Sequence, residues 1–190
     1  MSLLSLQAVR LQDPAALAAL AQARARINAL ALVHRILYEI EDQRSVDVRR
    51  MLEQLSEQTN EGFGGERRDI GIVVNAIPLR VSGDSAVPIA LFAVEALTNA
   101  YKHAYPPGRG GTIRIVLEEI APGTLHLSVN DDGVGFEEEA TGVSAGGQLV
   151  KTFGLQLGGT TIIRSTTDHG TVAEMTFPVP QDGTAGASVR

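Results

Sequence analysis

The chain has no cysteine and no tryptophan. Without thiols there can be no disulfides and no thiolate metal sites, which fits a reducing compartment and gives the expectation of a cytoplasmic protein. Aromatic residues make up only 4% of it, too few for a platform that stacks the bases of a single strand. Positive charge is also short. Lys and Arg number 16 against 22 Asp and Glu, a net charge of −6, which argues against a nucleic-acid binder that works by neutralising phosphates. A single nucleotide is not excluded, because Mg²⁺ can carry the counter-charge. No apolar run reaches the roughly eighteen residues of a membrane-spanning helix. The first residues lack the basic-then-apolar layout of a signal peptide.

What remains is ordinary globular material, 44% hydrophobic and 20% charged over 190 residues, enough for one well-buried domain and a small appendage. Leu3, Leu4, Leu6 and Leu11 have helical spacing but nothing caps their start, so the segment reads as the last turns of a helix that has been cut into. Asp13-Pro14 then opens a second helix that runs to about Glu41. Along it Leu20, Ile27 and His34 repeat every seven residues, with Ala23, Leu30 and Leu37 three residues after each. Residues 1–60 therefore read as a helical hairpin and connector. Two helices bury little surface alone, so a homodimer through the hairpin is expected. His34 lies on the seam. It is either a phospho-acceptor or a packed interface histidine, and packing is the simpler reading because a catalytic histidine must be open to its donor.

Residues 61–178 alternate strands and helices. Before them, in the connector, Ser45 to Glu57 reads as a short extended piece and then a helix capped by Asp47. Ile70–Ile77 reads as a buried strand, with Pro78–Val81 starting its partner. A central helix follows, capped by Asp84 or Ser85 with Pro88 in its first turn, and Pro106-Pro107-Gly108 ends it. Thr112–Glu118 and Leu125–Asp131 form a hairpin through Ala121-Pro122-Gly123, with His126 pointing outward. Gly133 to Gly147 is a long glycine-rich loop, read as a lid. Another helix covers Gln148–Leu157, and strands at Thr160–Thr166 and Thr171–Phe177 meet at a turn containing His169. This order predicts an α+β fold, a two-layer α/β sandwich with a mixed sheet behind a helical hairpin. Residues 179–190 are composed like a disordered tail.

No Gly-x-x-x-x-Gly-Lys-Ser/Thr loop is present, and no Gly-x-Gly-x-x-Gly follows a strand. Gly142-Val-Ser-Ala-Gly146 matches a nucleophile elbow only in letters, since the strand it requires is missing. The pattern that survives pairs Glu95-x-x-x-Asn99 in the central helix with Asp131-x-Gly133-x-Gly135 at a strand end. Glu95, Asn99, Lys102 and His103 share one helical stripe. A stripe facing water explains them equally well until the downstream carboxylate is considered. A strand-end Asp can accept the exocyclic amine of adenine, and glycines after it admit the ligand close to the backbone. An Asn oxygen suits Mg²⁺. Glu95 is placed to orient or deprotonate a nucleophile, with Lys102 and His103 in reach of phosphates.

Glu95-Ala-Leu-Thr-Asn99-Ala-Tyr-Lys102-His103-Ala104 resembles the N box of the GHKL ATPases, and Asp131-Asp-Gly133-Val-Gly135-Phe136 resembles their G1 box. Ser144-Ala-Gly146-Gly147 through Lys151 resembles a degenerate G2 box, and Gly170-Thr171 through Pro178 the last strand. The hairpin, with Ser2-Leu-Leu-Ser-Leu-Gln7, Asp13-Pro14 and Ala31-Leu-Val-His34-Arg-Ile-Leu-Tyr38, is similar to the dimerisation domain of HWE/HisKA-2 sensor kinases; the lack of Trp favours the HisKA-2 relatives. The resemblance implies ATP and Mg²⁺, the latter at Asn99. It implies Asp131, Gly133, Gly135, Gly146 and Thr171 around the nucleotide, with Lys102 and His103 near phosphate and Glu95 as the base or orienter. It also implies transfer of the γ-phosphoryl group to a histidine and relay to a response-regulator receiver domain. In that family the acceptor histidine lies about a dozen residues before the Ser-Leu-Leu-Ser stretch, so here it is expected to be absent and His34 to be structural. Two alternatives stay open, a dimeric phosphotransfer adaptor or pseudokinase and a serine kinase of the anti-sigma-factor type.

Overall fold

The structure is a computed structural model that describes residues 14–38, 45–65, 69–136, 145–181 and 184–185, without the side chains of 14–18, 37–38, 145–149 and 184–185. The first helix, α1, spans Pro14–Tyr38. A short strand β1 (Ser45–Asp47) leads into α2 (Val48–Phe63), and the Asp47 side chain caps α2 by accepting from the Arg50 N–H at 3.1 Å. In α2 the buried residues Val48, Met51, Leu52, Leu55, Ser56 and Thr59 recur at helical spacing and give it one core-facing side.

β2 (Ile70–Ala76) and β3 (Leu79–Ser82) precede the central helix α3 (Gly83–His103). β4 (Gly111–Ala121) and β5 (Thr124–Asp131) form a hairpin around Pro122-Gly123. After α4 (Ala145–Gln156) come β6 (Thr160–Thr166) and β7 (Gly170–Pro178). The main sheet has the order β2-β4-β5-β7-β6. Its β2–β4 pair is parallel and the rest antiparallel, so the sheet is mixed. α2 lies over β2, α3 over β4 and β5, and α4 over β6 and β7. Ile113, Ile115, Leu117, Leu125, Leu127, Val129, Met175 and Phe177 project from the sheet into this layer, against Phe92 and Leu97 of α3. The α+β, two-layer sandwich expected from the sequence is the fold observed.

Four details correct the sequence reading. β3 does not pair with β2; it pairs antiparallel with β1 and, at Leu79 and Arg80, with β8 (Thr184–Ala185), a short strand inside the tail whose composition suggested disorder. The chain leaves the main sheet at Ile77, whose N–H bonds the Leu117 carbonyl, and Pro78 follows it out. The α3 cap is Ser82 rather than Asp84 or Ser85, which puts Pro88 in the second turn. His126 is not an open strand residue. Each ring nitrogen lies 3.7 Å from a carboxylate oxygen, Nδ1 from Glu118 and Nε2 from Glu174 on the neighbouring strands.

α1 packs on α3 and, over a smaller area, on α2, and buries Ala29, Leu32 and Val33. The seven-residue seam looks elsewhere, leaving Ile27 52% and Leu30 44% exposed and His34 exposed too. α1 is thus apolar on two sides, one covered by this chain and one not. The stub before Pro14 and the lid residues 137–144, including Gly142, lie outside the described residues.

Candidate functional site

Between α3, the strands β5, β6 and β7 and the helix α4 lies a cavity of about 440 Å³. Val129, Val150, Ile163 and Ala173 make much of its wall apolar, and Asn99, His103, Asp131 and Thr171 supply the polar groups. This is the usual make-up of a small-molecule site, a greasy cleft with a few convergent polar atoms.

Asp131 ends β5 and is held from two sides. Its Oδ1 accepts the Gly133 N–H at 3.0 Å and the Thr171 N–H at 3.1 Å. With Oδ1 engaged twice, Oδ2 is the oxygen left for a ligand. Burial raises the pKa of this carboxyl, and the backbone bonds from Gly133 and Thr171 oppose the rise. The turn after it is seated on the end of α3. The Val134 N–H donates to the Ala104 carbonyl at 2.9 Å, and a side chain on Gly133 would strike Ala104. Gly135 lines the cavity at φ 60°, where its Cα approaches the Thr166 carbonyl too closely for any Cβ.

Asp132 works on the opposite side of the turn. Its Oδ1 accepts from the Thr112 N–H at 2.8 Å and from the Tyr105 hydroxyl at 3.1 Å. Arg109 donates to the carbonyls of Asp132 and Gly133 at 3.2 and 3.3 Å. Burial, then the Asp132 charge, pushes the Tyr105 phenol upward, so it remains a donor. Ser165 ties β6 to the same turn by accepting the Phe136 N–H at 2.9 Å. Tyr105, Arg109, Asp132 and Ser165 escaped sequence reasoning. Only the doubled Asp at 131–132 was a visible signal.

The predicted stripe on α3 is split. Asn99 lines the cavity and His103 stands at its exposed lip, where partial burial and then the Lys102 charge lower the imidazole pKa. Glu95 and Lys102 are not brought to the cavity. Glu95 is 0% exposed beneath α1, and its Oε2 accepts from Arg26 Nε at 3.0 Å and Nη2 at 2.7 Å. Gln22 donates to the other Glu95 oxygen and accepts from Lys102 Nζ at 3.1 Å. Burial lowers the Lys102 pKa, and the Glu95 charge partly restores it. Gly146 sits in the first turn of α4.

Comparisons with known proteins agree with this geometry. The histidine kinase family HisKA_2 matches residues 1–62, and the histidine kinase-, DNA gyrase B- and HSP90-like ATPase family matches residues 85–181, half of the chain. The chain is 30% identical over 131 residues to "Blue-light-activated histidine kinase 2" of Erythrobacter litoralis (strain HTCC2594), covering 65% of this chain and 36% of that protein's length. The histidine kinase domain of an Erythrobacter litoralis blue-light activated histidine kinase superposes with a TM-score of 0.74 at 23% identity, over 85% of this chain and 76% of that one. A longer structure of that kinase gives 0.71 at 25% identity, over 82% and 48%. A split N box, a doubly anchored strand-end Asp and both family matches converge, and the chain belongs to the histidine kinase-, DNA gyrase B- and HSP90-like ATPases, on their histidine kinase branch.

Proposed function

We propose that this chain is the ATP-binding catalytic region of a two-component sensor histidine kinase, with residues 61–178 holding the nucleotide and residues 1–60 contributing to dimerisation. The observation that carries this reading is Asp131, fixed by two backbone donors in an apolar cavity that also receives Asn99. Adenine fits the apolar wall, with its amine on Asp131. Asn99 is the oxygen donor for Mg²⁺. Among the described residues no group of three or more His, Cys, Asp or Glu is gathered into a cage. The ion would therefore depend on Asn99, water and phosphate oxygens, as Mg²⁺ at nucleotide sites commonly does. Bound ATP supplies the γ-phosphoryl group; His103 at the lip and the glycine turn are the chain's own means of holding its phosphates.

The phosphoryl group is proposed to pass to a histidine and then to a receiver-domain Asp. The decisive experiment is incubation with γ-labelled ATP, for the chain alone and for the chain joined to a first-helix segment bearing an acceptor histidine. Acid-labile label on that segment is expected, and its absence in a folded, ATP-binding protein rejects the kinase reading. Label on His34 of the chain alone overturns its structural role. A second reading, nucleotide binding without phosphoryl transfer, draws on the Arg26–Glu95 pair, which occupies the proposed base. The exposed Ile27 and Leu30 support a homodimer; replacing both with Ser is expected to convert a dimer to a monomer in light scattering. The proposed location is the cytoplasm. No helix among the described residues is long and apolar enough to cross a membrane.

A further inference from the structure

Ser165 is not among the residues lining the cavity but stands beside Thr171, its cross-strand partner, which is. Its hydroxyl has three neighbours. Oγ donates to the Gly170 carbonyl at 3.0 Å, accepts the Phe136 N–H at 2.9 Å, and lies 3.1 Å from Thr171 Oγ1. A serine hydroxyl has one proton and two lone pairs. We assign its proton to the Gly170 carbonyl, which has none of its own to share, and one lone pair to the Phe136 N–H; the remaining lone pair then accepts from Thr171. The Thr171 hydroxyl therefore points its proton away from the cavity and turns lone pairs toward it. Asp131 beside it offers a carboxylate whose Oδ1 is already engaged by Gly133 and Thr171. Both side chains on this wall are acceptors.

We infer that Ser165 is a specificity-determining positioning residue: by holding the Thr171 proton it keeps this wall free of side-chain donors, so the site accepts a purine carrying a 6-amino group and rejects a 6-oxo purine. This rests on the nucleotide reading above and goes further, because it assigns base selection to a residue that touches no ligand. A 6-oxo group facing two acceptors loses its water and gains no partner, and buried polar groups left unpaired are what make such discrimination large. Removing the Ser165 oxygen frees the Thr171 hydroxyl to rotate and donate.

The test is calorimetric titration of the purified chain with ATP and with ITP, which differ at the purine 6 position. Wild type is expected to prefer ATP. In Ser165→Ala the preference narrows about tenfold, in Ser165→Thr it returns, and in a Thr171→Val background the serine change no longer alters it. Equal weakening of both nucleotides in Ser165→Ala would show that the hydroxyl only ties down the Phe136 turn, and this overturns the inference. So does the same narrowing in the valine background. Ser165→Cys, similar in size but a weak donor and acceptor, carries the same test if the alanine variant does not fold. A folded wild type that binds neither nucleotide refutes the pocket assignment itself, whereas one that binds both equally leaves the pocket standing and removes only the selection.

Discussion

One helix, α3, carries two polar edges with opposite fates. On one edge Glu95 and Lys102 are tied to α1 through Arg26 and Gln22. On the other, Asn99 and His103 face a cavity. The difference follows from what each group tolerates. A carboxylate withdrawn from water without a partner costs several kcal/mol, so Glu95 at 0% exposure must be matched by protein. A neutral amide and an imidazole with a lowered pKa carry a smaller penalty and can line an open cleft. The charged edge stabilises the docking of α1, and the neutral edge is left for a ligand.

Arg26→Ala breaks this division where it is most expensive. It leaves a buried carboxylate without its contacting cation, with the neutral Gln22 still donating to it, and removing one partner of such a pair costs about 3–5 kcal/mol. The melting temperature should fall on the order of 10 °C, while ATP affinity, measured below the transition, stays within about twofold. A collapse of ATP affinity without a thermal shift would mean that the Glu95 edge belongs to the nucleotide site. Glu95→Gln should be milder, since Arg26 is 30% exposed and can turn to water.

Asp131→Asn attacks the other side. The amide oxygen will take the place of Oδ1 against the Gly133 and Thr171 N–H groups, which turns the NH₂ toward the adenine amine. Two facing donors should cost about 100-fold in ATP affinity, with the fold intact by circular dichroism. Asn99→Ala is a smaller step, about tenfold, and it should appear with Mg²⁺ present and shrink when the ion is chelated.

The smallest effects are in pH. Asp131 titrates above its ordinary 3.8 when folded, so ATP affinity should weaken on acidification before a normal carboxylate would respond. In the same window the folded state holds the proton more tightly than the unfolded state, so this group's contribution to stability falls as pH rises. His103 behaves in the opposite sense. Its folded pKa lies below 6.5, so the unfolded chain protonates first and stability falls as pH drops through 6.5. Melting curves of His103→Gln should lose that slope.

The split of the N-box stripe was only partly legible. At about 100° per residue, Glu95 and Lys102 fall about 20° apart on one edge of the stripe, with Asn99 and His103 about 40° apart on the other. The angles order the four as Lys102, Glu95, Asn99 and His103 around the helix, but Asn99 lies about 40° from Glu95 as well, so they neither divide the stripe into pairs nor say which element each side meets. Arg26 lies 69 positions from Glu95, and no local pattern links them. The partner of β3 was misread for a similar reason: a two-residue gap resembles a hairpin, yet Pro78 carries the chain out of the sheet. His126 alternated outward as expected, but Glu118 and Glu174 on the adjoining strands close around it.

By itself the sequence determined the local elements and the chemistry on offer: periodicities placed the helices and strands, Asp47 set a cap, and Asp131-x-Gly133-x-Gly135 named a strand-end acceptor with an open backbone after it. These depend on neighbours a few residues away, and such signals are written along the chain. Only the tertiary structure decided that Glu95 pairs with Arg26, that Asp131 is gripped by Thr171 forty positions later, and that the Ser165 and Thr171 hydroxyls meet across the β6–β7 pair. Those choices depend on which helix covers which strand, and the burial of the whole core selects that arrangement.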